Sequence, residues 1–96
     1  MRSPIIRPRA RRQFQAAERW WVAHRDKAPE AFDEDVAAGL ESVAADPHIH
    51  QRVHGKRNMR RILLERVRYY IYYRIMDSGE IEVISVWHAS RRPPRL

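Results

Sequence analysis

Three arginines and one histidine in the second half of the chain have side chains suited to chemistry on a phosphodiester. Arg61, Arg68 and Arg74 precede His88 on segments that read as neighbouring strands. Histidine exchanges protons near neutral pH, and guanidinium groups stabilise the negative charge that develops on phosphorus. If the strands bring the four together, His88 is the candidate acid or base for metal-independent cleavage. The simpler interpretation is that these arginines solvate an open sheet face and contact the carboxylates of a partner.

Three histidines earlier in the chain have a spacing that could hold a zinc ion. His48, His50 and His54 form a His-x-His-x₃-His pattern of the kind found in zinc sites. Their segment has no nearby carboxylate to fix the imidazole tautomers, and the chain has no cysteine. A solvated loop is therefore favoured, and we predict neither a metal nor a cofactor.

Four tyrosines lie close together in a segment where successive side chains are predicted to alternate between the two faces of a strand. Tyr69 and Tyr73 share their side with apolar residues and are predicted to be core. Tyr70 and Tyr72 lie on the other side, beside arginines. Aromatic rings interleaved with guanidinium groups can stack on bases or receive a protein partner.

The charge of the chain is unevenly distributed. The net charge is +7, and all basic residues except Lys27 and Lys56 are arginine. Acidic residues concentrate between positions 26 and 46, whereas segments 52–74 and 91–95 are strongly basic. Because guanidinium groups bind phosphate and carboxylate at two points, this asymmetry predicts one face that contacts an anion or an acidic partner.

The size and composition of the chain predict one ordered domain, residues 1–96. It is 44% hydrophobic and 32% charged, as is typical of globular proteins. The absence of cysteine fits a reducing compartment. The start of the chain does not have the pattern of a signal peptide, and no apolar run is long enough to cross a bilayer. We therefore expect a cytoplasmic protein with no membrane partner.

Hydrophobic periodicity divides the chain into two helices and four strands. Apolar residues recur at helical spacing from Pro8 to His24 and again from Pro29 to Asp46. Trp20 lies beside the apolar stripe of the first helix. It belongs either to a second packing surface or to a binding surface. In the second half of the chain, apolar and polar residues alternate with a period of two, as is typical of strands. The predicted strands are residues 3–7, 59–64, 67–75 and 80–87, and residues 48–58 are predicted to be a loop.

The order βααβββ predicts an α+β fold. Each helix has a single apolar stripe, so we expect a helical hairpin packed on one face of a small, mainly antiparallel sheet. Strict alternation in the last strand would put Ile81, Val83, Ser85 and Trp87 on one face and Glu82, Ile84, Val86 and His88 on the other.

Two motifs carry a family resemblance. The pattern R-x-x-L-x₄-R-Y-x-x-Y-Y-R runs from Arg60 to Arg74, and W-H-x-x-R-R-x-P runs from Trp87 to Pro94. With the βααβββ order, they resemble the RelE/ParE superfamily of toxins from type II toxin–antitoxin systems over nearly the whole chain. The second motif is most similar to the ParE-like branch, whose last strand typically closes with a His-Gly-Arg-Arg-type sequence. Here an Ala-Ser pair replaces the glycine position and its neighbour.

The resemblance implies a toxin that inhibits DNA gyrase, stops replication and arrests growth, and that stabilises plasmids in this way. A cognate antitoxin, acidic and partly disordered and similar to ParD or another DNA-binding repressor, is expected to neutralise it and to provide its only contact with operator DNA. The expected target-binding residues are Trp87, His88, Arg91, Arg92 and Arg60. The expected antitoxin-binding residues are Tyr70, Tyr72, Arg68 and Arg74.

The RelE-like branch leaves a second hypothesis open. In it, the protein is a ribosome-dependent endoribonuclease that cleaves mRNA with His88, Arg61 and Arg74, supported by Arg68. Members of that branch usually carry a lysine-rich patch before the second strand and often end in a catalytic tyrosine. This chain has only Lys56 in that region and no late tyrosine, so the gyrase hypothesis is favoured although both functions share a fold. A non-toxic family member that only binds an antitoxin is the third hypothesis.

Overall fold

The computed structural model describes residues 3–96, so Met1 and Arg2 of the predicted domain lie outside the described residues. The elements are β1 (Ile5–Ile6), α1 (Pro8–His24), α2 (Ala31–Ala45), β2 (Gln51–Arg52), β3 (Met59–Leu64), β4 (Tyr69–Ile75) and β5 (Ile81–His88). The strands form one sheet in the order β1-β5-β4-β3-β2, in which β1 is parallel to β5 and the other pairs are antiparallel. The predicted α+β fold is confirmed.

Helix α1 begins and packs as its sequence predicts. Pro8 is its first residue, where the missing N–H costs no helical hydrogen bond. Ala10 and Ala17 are buried, and their small side chains belong to the core beside β5. Trp21 packs at the edge of the same core, and its indole N–H donates to the carbonyl oxygen of Ala28 at 2.8 Å. This bond fixes the connection between the two helices.

Helix α2 lies close to β3 because one of its buried residues has no side chain. A Cβ atom added at Gly39 would lie 2.5 Å from Cδ2 of Leu64, closer than two carbon atoms approach without strain. Phe32 and Val43 are buried on the same side of the helix. The two helices cover one face of the sheet, as predicted, and the core lies between them and the strands.

The segment predicted to be a loop contains a short edge strand. Residues of β2 pair with Arg60 and Arg61 of β3, and the amide of Val53 donates to the carbonyl oxygen of Met59 at 3.0 Å. Strand β2 consists of two exposed polar residues, which show no hydrophobic periodicity. It therefore could not be predicted from the sequence. The sheet therefore has five strands where four were predicted.

The connection between β3 and β4 is longer than the predicted turn. Strand β4 begins at Tyr69, not at Val67, because Arg68 adopts a left-handed conformation with φ 62°. A carboxylate oxygen of Asp35 on α2 accepts hydrogen bonds from the amides of Arg66 and Val67 at 3.0 and 3.1 Å. These backbone donors are thus bound to the helix and are not free for the strand ladder.

None of the helices in the described part of the chain is both long enough and apolar enough to cross a membrane.

Candidate functional site

The face of the sheet opposite the helices is called the open face here. It is formed by Arg61 and Leu63 of β3, Tyr70, Tyr72 and Arg74 of β4, and Trp87 of β5. The guanidinium of Arg61 lies 4.0 Å from the ring centroid of Tyr70 and donates to the hydroxyl of Tyr72 at 3.4 Å. It also donates to the side-chain oxygen of Gln51 at 2.8 Å. One arginine therefore holds the two aromatic rings together.

The C-terminal segment, residues 91–96, lies against this open face. The indole N–H of Trp87 donates to the carbonyl oxygen of Arg92 at 2.6 Å, and the two prolines that follow line a groove together with Tyr72. The side chain of Tyr72 is consequently buried, with only 3% of its surface exposed. This cover could not be predicted from the sequence, because a Pro-Pro segment shows no hydrophobic periodicity.

The end of β5 carries a group of aromatic and basic side chains, called the strand-end cluster: Trp87, His88, Ser90, Arg91 and Arg92. The guanidinium of Arg91 stacks on the indole of Trp87 at 4.2 Å from the ring centroid. Of the predicted binding residues at this end of the chain, Trp87 and Arg91 therefore form a cation–π pair, and Arg92 contacts the indole through its carbonyl oxygen.

A β-bulge in β5 changes the face on which His88 lies. The register between β4 and β5 shifts between Tyr72 and Tyr73, which leaves Ile84 as an extra residue. An extra residue reverses the facing of the side chains that follow it. Val86 and His88 therefore face the helices, as the core residues in the first half of β5 do. The prediction of strict alternation along β5 is wrong for this reason.

His88 is held in one orientation by its neighbours. Its ring packs edge-on against Tyr69, with centroids 5.0 Å apart. Nδ1 accepts a hydrogen bond from the amide of Ser90 at 3.1 Å and lies 2.6 Å from its hydroxyl oxygen. The neutral ring therefore carries its proton on Nε2. Burial raises the pKa of Tyr69, an effect that the nearby charge of Arg91 partly offsets.

The structure does not bring together the four residues considered for phosphodiester cleavage. His88 pairs with Tyr69 at one end of β4, and Arg74 lies at the other end of that strand, about 17 Å away at the usual rise per residue. Arg61 lies on the open face, whereas His88 faces the helices. The expected convergence of these side chains across neighbouring strands is thus absent, because the length of β4 separates His88 from Arg74 and the bulge turns His88 away from the face of Arg61.

Arg74 is bound to a carboxylate of its own sheet. It donates to Glu82 at 2.8 Å, and Arg7 donates to the other oxygen of the same carboxylate at 3.3 Å. The hydrogen bond from Arg74 is the main cause that lowers the pKa of Glu82, with a smaller contribution from Arg7 and an opposing effect of burial. This network stabilises the junction of β4, β5 and the start of α1.

Two other predicted binding residues lie outside the strand-end cluster, Arg60 on the helix side of β3 and Arg68 in the turn beside the end of β5. Arg60 is opposite Tyr73 on the helix side and donates to the carbonyl oxygen of His50 at 2.7 Å, so its contacts are structural. Arg68 is exposed in the turn before β4. Its carbonyl oxygen accepts from the amide of Ala89 at 2.8 Å, and this bond places it next to the end of β5.

A groove of about 230 Å³ between α1 and the end of β5 adds residues that the sequence did not assign to the site. Trp20 lines it and is 44% exposed, and its ring stacks on His24 with centroids 4.4 Å apart. The groove is lined by Gln13, Ala16, Ala17, Trp20, Tyr69, Val86, Trp87, His88 and Arg91. The only signal in the sequence was a tryptophan beside the apolar stripe.

The three closely spaced histidines do not converge on one point. His50 lies 3.3 Å from the hydroxyl oxygen of Ser42 and packs edge-on against Tyr73, whereas His48 and His54 are exposed. Within residues 3–96, no three histidine, aspartate or glutamate side chains are grouped in a way that could hold a metal ion.

Gln13 on α1 anchors the bulge that sets the direction of His88. Its side-chain oxygen accepts from the hydroxyl of Ser85 at 3.0 Å and from the amide of Val86 at 2.8 Å. We expect Gln13→Leu to lower the free energy of unfolding by about 2 kcal/mol, because two buried donors lose their acceptor. Urea unfolding measures this loss. Gln15→Leu, on the exposed side of the same helix, is the control and should change stability by less than about 0.5 kcal/mol. Equal losses would contradict the anchoring role.

Comparison with known proteins places the chain among toxins. A family model described as "ParE toxin of type II toxin-antitoxin system, parDE" matches residues 5–93. The fold is similar to that of the isolated E. coli RelE toxin, with a TM-score of 0.65 and 21% identity over 92% of this chain and 84% of that one. A search of curated proteins gives no significant match.

Two structures of complexes show the same likeness. A chain of the chromosomal ParDE system from P. aeruginosa has a TM-score of 0.67 and 19% identity, over 94% of this chain and 98% of that one. A chain of the intact E. coli RelBE toxin–antitoxin complex has a TM-score of 0.65 and 21% identity, over 91% and 95%. At this level of identity the structures establish the fold, and the family model covers nearly the whole sequence. The chain therefore belongs to the ParE toxin family of type II toxin–antitoxin systems.

Proposed function

We propose that this toxin inhibits DNA gyrase and thereby stops replication, until a cognate antitoxin neutralises it. The observation that carries the proposal is the strand-end cluster, in which Arg91 stacks on Trp87 without an assembled acid–base centre beside them. Tryptophan and arginine dominate the energy of many protein–protein contacts. Such a cluster suits binding to a macromolecular target better than it suits bond cleavage.

The groove beside α1 extends this surface. Trp20 and Trp87 line it together with His88 and Arg91. Aromatic and guanidinium groups around a shallow groove form an anchor of the kind that a partner side chain can fill. We therefore assign target binding to Trp87, His88, Arg91 and Arg92, and add Trp20. Arg60 is left out of this set because its guanidinium is bound on the helix side.

The antitoxin is proposed to bind the open face and the adjoining turn. Tyr70 is half-buried there and Arg68 is exposed, so both are accessible to the acidic groups expected of an antitoxin. Tyr72 is covered beside the C-terminal segment, and Arg74 is paired with Glu82. These two residues would contact an antitoxin only after the segment or the ion pair had moved.

Pulse labelling distinguishes gyrase from the ribosome as the target. The protein is induced in cells that lack the antitoxin, and incorporation of labelled thymidine and labelled methionine is followed over the first minutes. We expect DNA synthesis to fall first. An earlier fall in translation would favour the endoribonuclease, which then requires His88→Ala to abolish toxicity while antitoxin binding stays intact. Harmless expression would indicate a non-toxic family member.

Variants of the strand-end cluster test the proposed binding residues. We expect Arg91→Ala, Arg92→Ala to lower toxicity at least tenfold, measured as surviving colonies after induction at matched protein levels. Loss of one hot-spot arginine commonly costs about 2 kcal/mol or more of binding energy. The control is Arg12→Ala, Arg19→Ala, which removes the same charge from the exposed side of α1. Full toxicity of the first variant would contradict the assignment.

A further inference from the structure

A second basic region lies at the opposite end of the open face from the strand-end cluster. It is a pocket of about 470 Å³ where β4 ends and the loop before β3 approaches the start of α1. The cationic residues that line it are Arg7, Arg9, Lys56, Arg57 and Arg74. They come from three separate segments of the chain, so the fold and not a local sequence run brings their charges together.

The positive charge of this pocket exceeds the negative charge that the protein supplies to it. Glu82 binds Arg7 and Arg74 through its two oxygens. Arg9, Lys56 and Arg57 form no salt bridge with any acidic side chain in the described residues 3–96. Even when the terminal carboxylate of Leu96 is counted with Glu82, two carboxylates face five cations, and like charges in one pocket repel one another unless an anion joins them.

Arg74 retains a donor that the protein leaves unused. Its Nε atom is buried and has no hydrogen-bond partner among the described residues. A buried donor without an acceptor is costly, and native proteins rarely contain one. Arg9 does find an acceptor, the carbonyl oxygen of Arg95 at 2.8 Å, and this bond holds the C-terminal segment at the rim of the pocket.

The other lining residues indicate which part of a ligand would enter. Met59, Ile84 and Leu96 are apolar, and no aromatic ring lines the pocket on which a base could stack. The pocket is wider than a single carboxylate needs, and it combines two-point guanidinium donors with the point charge of Lys56. These features suit a phosphate group with several oxygens, bound through the backbone without reading a base.

We propose that this pocket binds a backbone phosphate of a nucleic acid, at a site separate from the strand-end cluster. Arg9, Lys56 and Arg57 make the contacts, while Glu82 keeps Arg7 and Arg74 in place at the base. The site goes beyond the proposed function because it concerns direct contact of this chain with nucleic acid, whichever protein is the target. Its binding is independent of sequence and falls steeply with salt.

Fluorescence anisotropy with the full chain tests the proposal. The probes are labelled 12-nucleotide single-stranded DNA, single-stranded RNA and duplex DNA of two unrelated sequences, over a range of salt concentrations. We expect Lys56→Gln, Arg57→Gln to weaken binding about tenfold or more at low salt and to reduce the slope of log K against log salt by about two. Both residues are exposed, so the variant should fold, and its melting temperature confirms this.

The matched control is Arg12→Gln, Arg19→Gln, which removes two charges from the exposed side of α1. A change of less than twofold in this control, beside a large loss in the pocket variant, supports a defined phosphate site. Equal losses would show a response to net charge alone and would overturn the proposal. Absence of nucleic-acid binding, or binding of an acidic peptide in preference to all three probes, would overturn it as well. Comparison of the three probes identifies which nucleic acid the site prefers.

Discussion

Replacing Tyr73 with alanine is expected to lower the free energy of unfolding by about 3–5 kcal/mol. The ring is fully buried in a cluster with Val43 and Ile81, and its hydroxyl donates to the carbonyl oxygen of Pro47 at 2.5 Å. Burial raises the pKa of Tyr73 to about 12, although the charge of Arg60 opposes this effect. The residue connects β4 to the chain that leaves α2, so its loss removes both packing and a tertiary hydrogen bond.

Urea unfolding followed by tryptophan fluorescence measures this loss. In a domain whose total stability is about 5–15 kcal/mol, it should also lower the melting temperature by at least about 12 °C. Tyr73→Phe keeps the ring but leaves the Pro47 carbonyl without its donor, and we expect a cost of about 1–2 kcal/mol. Tyr70→Ala is the matched control, since Tyr70 is half-buried on the open face of the same strand and should cost about 1 kcal/mol. Equal losses at the two tyrosines would contradict the assignment of the core face.

The faces of β4 could be predicted from the sequence, whereas those of β5 could not. Between Tyr69 and Ile75 the period of two holds without interruption, and Tyr69 and Tyr73 lie toward the helices as predicted. In β5 a single extra residue, Ile84, reverses the second half of the strand. An apolar residue at the bulge fits either face, so hydrophobic alternation cannot locate it. The partner that fixes the bulge, Gln13, is distant in sequence.

The geometry of the candidate site depends on the same bulge in β5. Trp87 and Arg91 are four residues apart in the motif that ends the chain, and the structure stacks one on the other. Motif spacing could not predict that His88 turns away from Arg61, since that depends on the bulge. It also could not predict that Glu82 binds Arg74, since a carboxylate facing a guanidinium across two strands is visible only once the register is known.

Glu82 is expected to stabilise the fold through its charge as well as its packing. Its side chain is buried and its two oxygens accept from Arg7 and Arg74. Glu82→Ala removes both bonds and leaves the guanidinium of Arg74, whose Nε already has no partner among the described residues, without its carboxylate acceptor. We expect a loss of about 1–3 kcal/mol at pH 7. This is below the cost of breaking a fully buried pair, because both arginines are about half exposed and water screens them.

The dependence of stability on pH separates the charge of Glu82 from its packing. Its pKa is lowered in the folded protein, so its contribution is fully present above the unfolded value near 4.5. That contribution is lost as the pH falls through the folded pKa. Glu18 acts in the opposite direction in the same range, because a hydrogen bond with Asp33 raises its pKa. Its effect is present in wild type and variant alike and cancels in their difference.

Unfolding of wild type and Glu82→Gln between pH 7 and pH 3 measures that difference. Glutamine keeps the shape of the side chain and one acceptor oxygen but has no charge to titrate. We expect the two free energies of unfolding to differ most at pH 7 and to converge as the pH falls below about 4.5. A difference that stays constant over this range would mean that the carboxylate contributes by packing alone. The ion pairs with Arg7 and Arg74 would then not be what holds β4, β5 and the start of α1 together.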